Sequence, residues 1–250
     1  MNISVQKAFL ALLIYLSNTC FAETFSVALF QGANPPYTII KNGQHSGFFV
    51  DLFSKLSQLT NYDFVFRDYP AARALEEFDL GNVDIEPGVN EAWRQQRRIE
   101  GKFSIAYGYS TEVMVFKKKN AINIKSVKDL HGKVVGTVRG YSYPKFEQAF
   151  NNKKITKINN RSEELLLKQL QADRLEYIFI GERTIKYYMQ QNPQYRDFVI
   201  GDIVSKVEVK IRVHPSKAYI LDKINAALKI LVARGEIEKM YAKYELEKQQ

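Results

Sequence analysis

Gly132-Lys-Val-Val-Gly-Thr-Val-Arg-Gly-Tyr-Ser-Tyr-Pro-Lys-Phe-Glu-Gln-Ala-Phe150 packs a strand, a turn and a helix start into one short stretch. Lys133 to Val138 is β-branched and apolar enough for a buried strand. Arg139-Gly140 turns the chain. Ser142 or Tyr143 then opens a helix, with Pro144 in the first turn, where a missing N–H costs nothing. Such a junction aims several backbone N–H groups at one point, and Arg139 adds a formal charge, so the point attracts anions. An ordinary βα turn with a surface arginine reads the same way, so the surrounding chain has to decide.

Further α/β units lie on both sides. Toward the N-terminus, Phe25 to Phe30 reads as a strand and Gln31 to Tyr37 as a loop carrying Pro35-Pro36. Thr38 to Ile40 and Gly47 to Phe49 flank a turn at Lys41-Asn42-Gly43, a hairpin signal. Phe49 to Thr60 is a helix, because Val50, Leu52, Phe53, Leu56 and Leu59 recur at helical spacing and Asp51 suits its first turn. Asp63 to Arg67 is a strand, Pro70 to Phe78 a helix ended by Gly81, and Val83 to Glu86 a short strand. Asn90 to Ile99 is polar and arginine-rich, Phe103 to Tyr109 is aromatic, and Thr111 to Lys117 is a strand. The order predicts a mainly parallel sheet with right-handed crossovers.

Toward the C-terminus, Asp129 to His131 ends a short helix ahead of the quoted stretch. Ile155 to Ile158 is a strand. The helix begun by Asn160 to Glu163 runs to Asp173 or Arg174, with Leu165, Leu166 and Leu170 as its buried stripe. Leu175 to Ile180 is a strand and Glu182 to Gln190 a helix. Val207 to Val213 alternates apolar and charged residues as one more strand. Ser216 is expected to cap a helix from Tyr219 to Ala233, closed by Gly235. A last helix runs from Glu236 to about Leu246.

The chain has 250 residues, a formal charge of +9 and one cysteine, Cys20. Residues 1–22 read as an export signal: Lys7, an apolar run from Ala8 to Leu16 too short to span a bilayer, and Cys20-Phe21-Ala22 before the cut. A lipid anchor at Cys20 fits poorly, since Asn18 is polar and Thr19 is large for its position. A protein exported to the bacterial periplasm without a remaining cysteine relies on its core, and the length suits one large domain or two lobes. The basic residues are scattered and no nucleic-acid module surrounds them, so nucleic acid is not an expected partner. A basic surface still steers acidic ligands toward a cleft. His45, His131 and His214 lack metal-ligand spacing, and no nucleophile elbow or phosphate loop appears, so no metal or cofactor is expected.

Taken in order, Pro-Pro-Tyr (35–37), Gly-Phe-Phe-Val-Asp-Leu (47–52), Gly-Asn-Val-Asp (81–84), Phe-Ser (103–104), Asp-Leu-His-Gly-Lys-Val-Val-Gly-Thr-Val-Arg-Gly (129–140) and Ile-Asn-Ala-Ala-Leu (224–228) resemble the family 3 extracellular solute-binding proteins. These are the periplasmic receptors of polar amino-acid ABC transporters. The resemblance spans essentially the whole chain after residue 22. It implies the two-lobed α/β periplasmic-binding-protein fold of type II, with two hinge strands and a ligand cleft between the lobes. One lobe is then 23–109 with 206–250, and the other is 110–205. It also implies a monomer that closes on a small, carboxylate-bearing ligand and serves an ABC transporter permease or a membrane sensor.

For the site, the resemblance points to Tyr37 as the aromatic cover and to Arg139-Gly140-Tyr141-Ser142 as the second-lobe anion turn. Its carboxylate-binding arginine falls among Arg94, Arg97 and Arg98. Counting back from Phe103-Ser104 favours Arg97 or Arg98, and counting forward from Asp84 favours Arg97 or a position beside it; a bidentate arginine–carboxylate pair is the relevant chemistry. Pro-x-x-Arg (70–73) and Asp-x-Glu (84–86) resemble a divergent branch, with Arg73 and Glu86 either pairing with each other or lining the cleft. Trp93 either floors the cleft or anchors its loop.

Two departures stand out. The receptors' strand matching Leu175 to Ile180 ends in an Asp that binds the ligand's α-amino group. Here Gly181 holds that place and Glu182 comes one residue late, as a ligand contact or a helix-start residue. An Asp common after Gly-Phe is Phe49 here. A few members of the fold are periplasmic dehydratases that use a cleft carboxylate as general acid, a part open to Glu86 or Glu182 if burial raised its pKa. Nothing in the sequence requires that chemistry, and a binding protein rather than an enzyme is expected.

Overall fold

The computed structural model describes residues 22–31 and 34–246. Residues 1–21 of the expected export signal, Cys20 among them, lie outside the described residues. Eleven strands and seven α-helices alternate along the rest. They are β1 (Glu23–Phe30), β2 (Ile39–Lys41), β3 (Gln44–Ser46), α1 (Phe48–Thr60), β4 (Tyr62–Tyr69), α2 (Ala71–Asp79), β5 (Ile85–Val89), β6 (Lys102–Phe103) and β7 (Gly108–Lys117). Then follow β8 (Val134–Val138), α3 (Pro144–Asn151), β9 (Thr156–Asn160), α4 (Glu163–Gln171), β10 (Tyr177–Gly181), α5 (Glu182–Gln191), β11 (Phe198–Val213), α6 (Leu221–Ala233) and α7 (Glu236–Leu246).

Nine strands join in the order β4-β1-β5-β11-β7-β10-β8-β9, with β6 beside β11. β1 runs parallel to β4 and β5 at one end, and β8 parallel to β9 and β10 at the other. The expected parallel character therefore holds only toward the ends. In the middle, β11 pairs antiparallel with β5 and β7, and β7 antiparallel with β10. β11 is the element that carries the chain from one end to the other: residues 198–209 pair with β7 and residues 210–213 with β5.

Strands covered by helices on both faces must be apolar at every position. β7 sends Val113 and Val115 to one core, with Leu166, Leu170 and Ile185, and Met114 and Phe116 to another, with Phe146 and Phe150. β10 divides Ile178 and Ile180 from Tyr177 and Phe179 in the same way. At the other end, Phe25, Val27 and Leu29 of β1 pack with Leu52, Leu56, Leu228 and Tyr241, while Ala28 faces Ala74 and Val83.

The structure shifts several expected boundaries. β11 begins at Phe198, ahead of the Val207 start expected from the sequence. In the fold the register shifts between Ile200 and Ile203, and a β-carbon on Gly201 would sit 2.6 Å from the Phe116 ring. The glycine marks a bulge that lets two buried strands approach, rather than a chain reversal. The second hairpin strand is Gln44–Ser46, with Asn42 and Gly43 both at positive φ, as a tight two-residue hairpin turn requires. α4 buries Leu167 rather than Leu165. His214, not Ser216, caps the next turn: its ring accepts the Ser216 N–H, and α6 begins only at Leu221.

Candidate functional site

The C-terminal ends of β5, β8 and β10 and the starts of α1, α3, α4 and α5 converge on one cavity, where open α/β sheets place ligands. Its empty space, open mouth included, is about 790 Å³. β5 contributes Glu86 to Val89, and the following turn contributes Trp93 and Arg94. β7 brings Glu112, the β8–α3 turn brings residues 140–143, α4 brings Glu163, and the β10–α5 junction brings Gly181 and Thr184.

One wall carries a buried ion cluster. Arg94 grips Glu86 in bidentate fashion through Nε (3.1 Å to Oε2) and Nη2, and its Nη1 donates to the Trp93 carbonyl at 3.0 Å. Arg212 is fully buried; its Nη1 donates to Glu86 Oε2 at 2.8 Å and its Nε to the Glu100 carbonyl at 2.8 Å. The same guanidinium lies 3.8 Å from the centre of the Phe78 ring. Burial opposes the Glu86 charge, but the two guanidiniums outweigh it and hold the carboxyl below its usual pKa. Arg212 Nη2 also lies 3.8 Å from Asp79 Oδ1, so the two buried guanidiniums face two buried carboxylates. Arg94 uses three of its five N–H groups in these contacts, and the residue lines the cavity.

Another part of the lining is acidic. Glu112 is 8% exposed, and its Oε2 has no hydrogen-bond partner among the described residues. Burial, and then the nearby Glu163 charge, push its pKa up to about 8. Glu163 is 4% exposed and accepts a hydrogen bond from the Tyr141 hydroxyl at 2.9 Å. Burial raises its pKa to about 7 despite that bond. The two carboxyls titrate as a coupled pair near neutrality.

Aromatic rings close the remaining sides. Tyr37 lies 5.5 Å from the Phe49 ring and 6.0 Å from the Tyr241 ring, and burial raises its hydroxyl pKa. Gly88, at φ +69, lets β5 pass the Phe49 ring, which a β-carbon would meet at 2.6 Å.

The expected site residues divide into two groups. Tyr37, Glu86, Trp93, Gly140, Tyr141 and Ser142 line the cavity. Arg97 and Arg98 do not; their guanidiniums turn to the side chain and carbonyl of Asp79. Arg94 is the arginine of that segment at the cavity. Arg73 pairs with Glu76 and Glu77 instead of Glu86. Arg139 is exposed and shares an outer groove with Arg73 and Arg161, because the chain reverses at Gly140. One N–H of the supposed anion turn, that of Tyr143, is met by the chain's own Glu147 at 3.2 Å. Glu182 pairs with Lys186 outside the cavity. Neither carboxylate considered as a general acid suits that part: Glu86 is held ionised and Glu182 is on the surface side of its helix.

Glu112, Glu163, Thr184 and Tyr241 escape the sequence reading. Only Glu112 leaves a trace, as a charge abutting the apolar run 113–116.

Among the described residues no helix is long and apolar enough to cross a membrane. The arginine-binding extracellular protein ArtP of Bacillus subtilis is 25% identical over 200 residues, covering 79% of this chain and 77% of that protein. The structure of an ancestral arginine-binding protein bound to arginine superposes with a TM-score of 0.76 at 22% identity, over 90% of this chain and 99% of that one. A histidine kinase sensor domain similar to periplasmic binding proteins gives a TM-score of 0.77 at 19% identity, over 92% and 99% of the two chains. These likenesses establish the two-lobed fold. The sequence model of the bacterial extracellular solute-binding proteins, family 3, matches residues 27–247, and the chain belongs to that family.

Proposed function

We propose that this protein binds a small carboxylate-bearing solute, most simply an amino acid, and delivers it to an ABC transporter permease without chemical turnover. Export by removal of residues 1–22 would place it in the periplasm as a monomer. Residues 23–109 with 206–250 form one lobe and 110–205 the other, closing about β7 and β11. In this account Arg94 takes the ligand carboxylate, Tyr37 and Trp93 cover it, and residues 140–142 meet it from the second lobe.

The observation that carries this account is Arg94. Arg94 lines the cavity and keeps two guanidinium N–H groups beyond the three that meet Glu86 and Trp93, and a planar fork of this kind suits a carboxylate. Relatives named for binding arginine support an amino acid as the solute.

The test is a thermal-shift and calorimetric screen of residues 23–250 against L-arginine, L-histidine, L-glutamine and small carboxylates. A ligand at about 100 times its dissociation constant should add about 2.7 kcal/mol of stability. No shift with any carboxylate would remove the proposed chemistry.

A further inference from the structure

We propose that Glu112 and Glu163 form a cation subsite at the second-lobe end of the cavity, so that the ligand carries a protonated amine or a guanidinium. The proposal rests on the solute-binding account above and adds the ligand's second charge.

Glu112 supplies the first argument. Its carboxyl is more than nine-tenths buried, lines the cavity, and keeps Oε2 without a partner among the described residues. A buried carboxylate is retained at such a cost only if a proton, a cation or a donor completes it. Glu163 lines the same wall and has one donor, Tyr141. A cation between the two would satisfy the orphan oxygen and remove their mutual repulsion.

Strand pairing supplies the second argument. Glu112 is the cross-strand partner of Gly181, and a β-carbon built on Gly181 would stand 3.8 Å from Glu112 Oε1. The glycine leaves room, and the acid enters from the neighbouring strand. Aromatic faces from Tyr37, Phe49, Trp93 and Tyr241 line the same space and favour a cation.

Other groups around the pair do not neutralise it. Tyr141 and Tyr143 from the β8–α3 turn, Tyr37 and Tyr241 from the first lobe, and Tyr188 from α5 are all shifted above the ordinary phenol range, so they stay neutral near pH 7. Arg183 of α5 is stacked on the Tyr241 ring, 4.0 Å from its centre. Arg94 meets Glu86 through two of its five N–H groups and, in the account above, the ligand carboxylate through others. Near pH 7 the empty pair retains a proton, so arrival of a cation should expel it.

The experiment is isothermal titration of residues 23–250 and its Glu112→Gln and Glu163→Gln variants at pH 7. Two buffers of different ionisation enthalpy count the protons released. The probes are L-arginine, L-histidine and L-glutamine; agmatine, which lacks a carboxylate; and glutarate, which lacks a cation. An amino acid should bind the wild type with proton release, and glutarate should not bind. Each Gln variant should lose affinity by about tenfold or more and release fewer protons, while its ligand-free melting temperature holds or rises. Glutarate binding as tightly as the best amino acid, or unchanged affinity in both variants, overturns the cation subsite and leaves the carboxylate account standing. Agmatine binding as tightly as L-arginine, with loss in Glu112→Gln, supports the cation subsite and removes the carboxylate. Failure of every probe overturns both.

Discussion

Glu112 stands directly across paired strands from Gly181, with its Oε1 3.8 Å from where a β-carbon on the glycine would lie. Position 181 is where the resemblance leads one to expect an acid. The structure has an acid at nearly the same place, carried by β7 instead of β10.

That geometry predicts an exchange. Gly181→Asp alone should set a second carboxylate against Glu112 and destabilise the protein by about 1–3 kcal/mol, as an added unpaired buried charge does. Combined with Glu112→Gln, the same change should restore much of the binding that Glu112→Gln removes. The hydroxyl of Thr184 would lie 3.3 Å from the new β-carbon. A double-mutant cycle on amino-acid affinity measures the coupling, and simple additivity would contradict it.

Ligand-free stability should depend on pH in an unusual sense. Glu112 and Glu163 have folded pKa values near 8 and 7 against 4.5 for free carboxyls. Between those values the folded protein holds protons that the unfolded chain has lost. Unfolding free energy should therefore be highest near pH 5 and fall as pH rises to about 8, by at most about 1.4 kcal/mol per unit for each group. Urea titrations along that range should show the decline, and the double Gln variant should flatten it. A wild-type profile that rises from pH 5 to 8 would contradict the assignment.

The cluster of Glu86, Arg94 and Arg212 is predicted to hold the fold as well as the site. Glu86→Gln leaves two buried guanidiniums without their shared carboxylate. A loss of about 3–5 kcal/mol is expected from breaking such a buried set, read by chemical denaturation. A change below 1 kcal/mol would mean that water, not Glu86, solvates these arginines.

Gly140 should control closure. It lies at φ +93, and a β-carbon would meet the Ala72 backbone nitrogen at 2.9 Å. On the proposed lobe boundaries, these two residues belong to opposite lobes. Gly140→Val should disfavour the closed arrangement and weaken ligand binding by about tenfold, the effect of a bias near 1.4 kcal/mol. Calorimetry checks it, and unchanged affinity would place the contact outside the closing motion.

Much of this was legible in the sequence, for identifiable reasons. β7, β8 and β10 are covered on both faces, so their apolar runs stand out. Tyr37, Trp93 and residues 140–142 lie in the loops that follow β1, β5 and β8, where ligand contacts are expected, and Glu86 lies within β5. Three things were hidden. Gly201-Asp202 interrupts the apolar residues of 198–206, because Gly201 serves a bulge. Arg94 could not be separated from Arg97 and Arg98, since the segment around them is a short 3₁₀ turn with no periodicity to fix which side chain points inward. Glu112 acquires its place only through pairing with Gly181, a contact between distant parts of the chain.

The central claim is that the Arg94 wall of this cleft holds the carboxylate of an amino acid. Its most direct test is calorimetric titration of residues 23–250 and of Arg94→Lys with the tightest-binding amino acid of the screen. Lysine keeps a charge for Glu86 but loses the planar fork. The account predicts single-site binding to the wild type and at least about a tenfold loss in Arg94→Lys, with melting showing that the variant is folded. No amino acid binding to the wild type, or equal affinity in the two proteins, would contradict it.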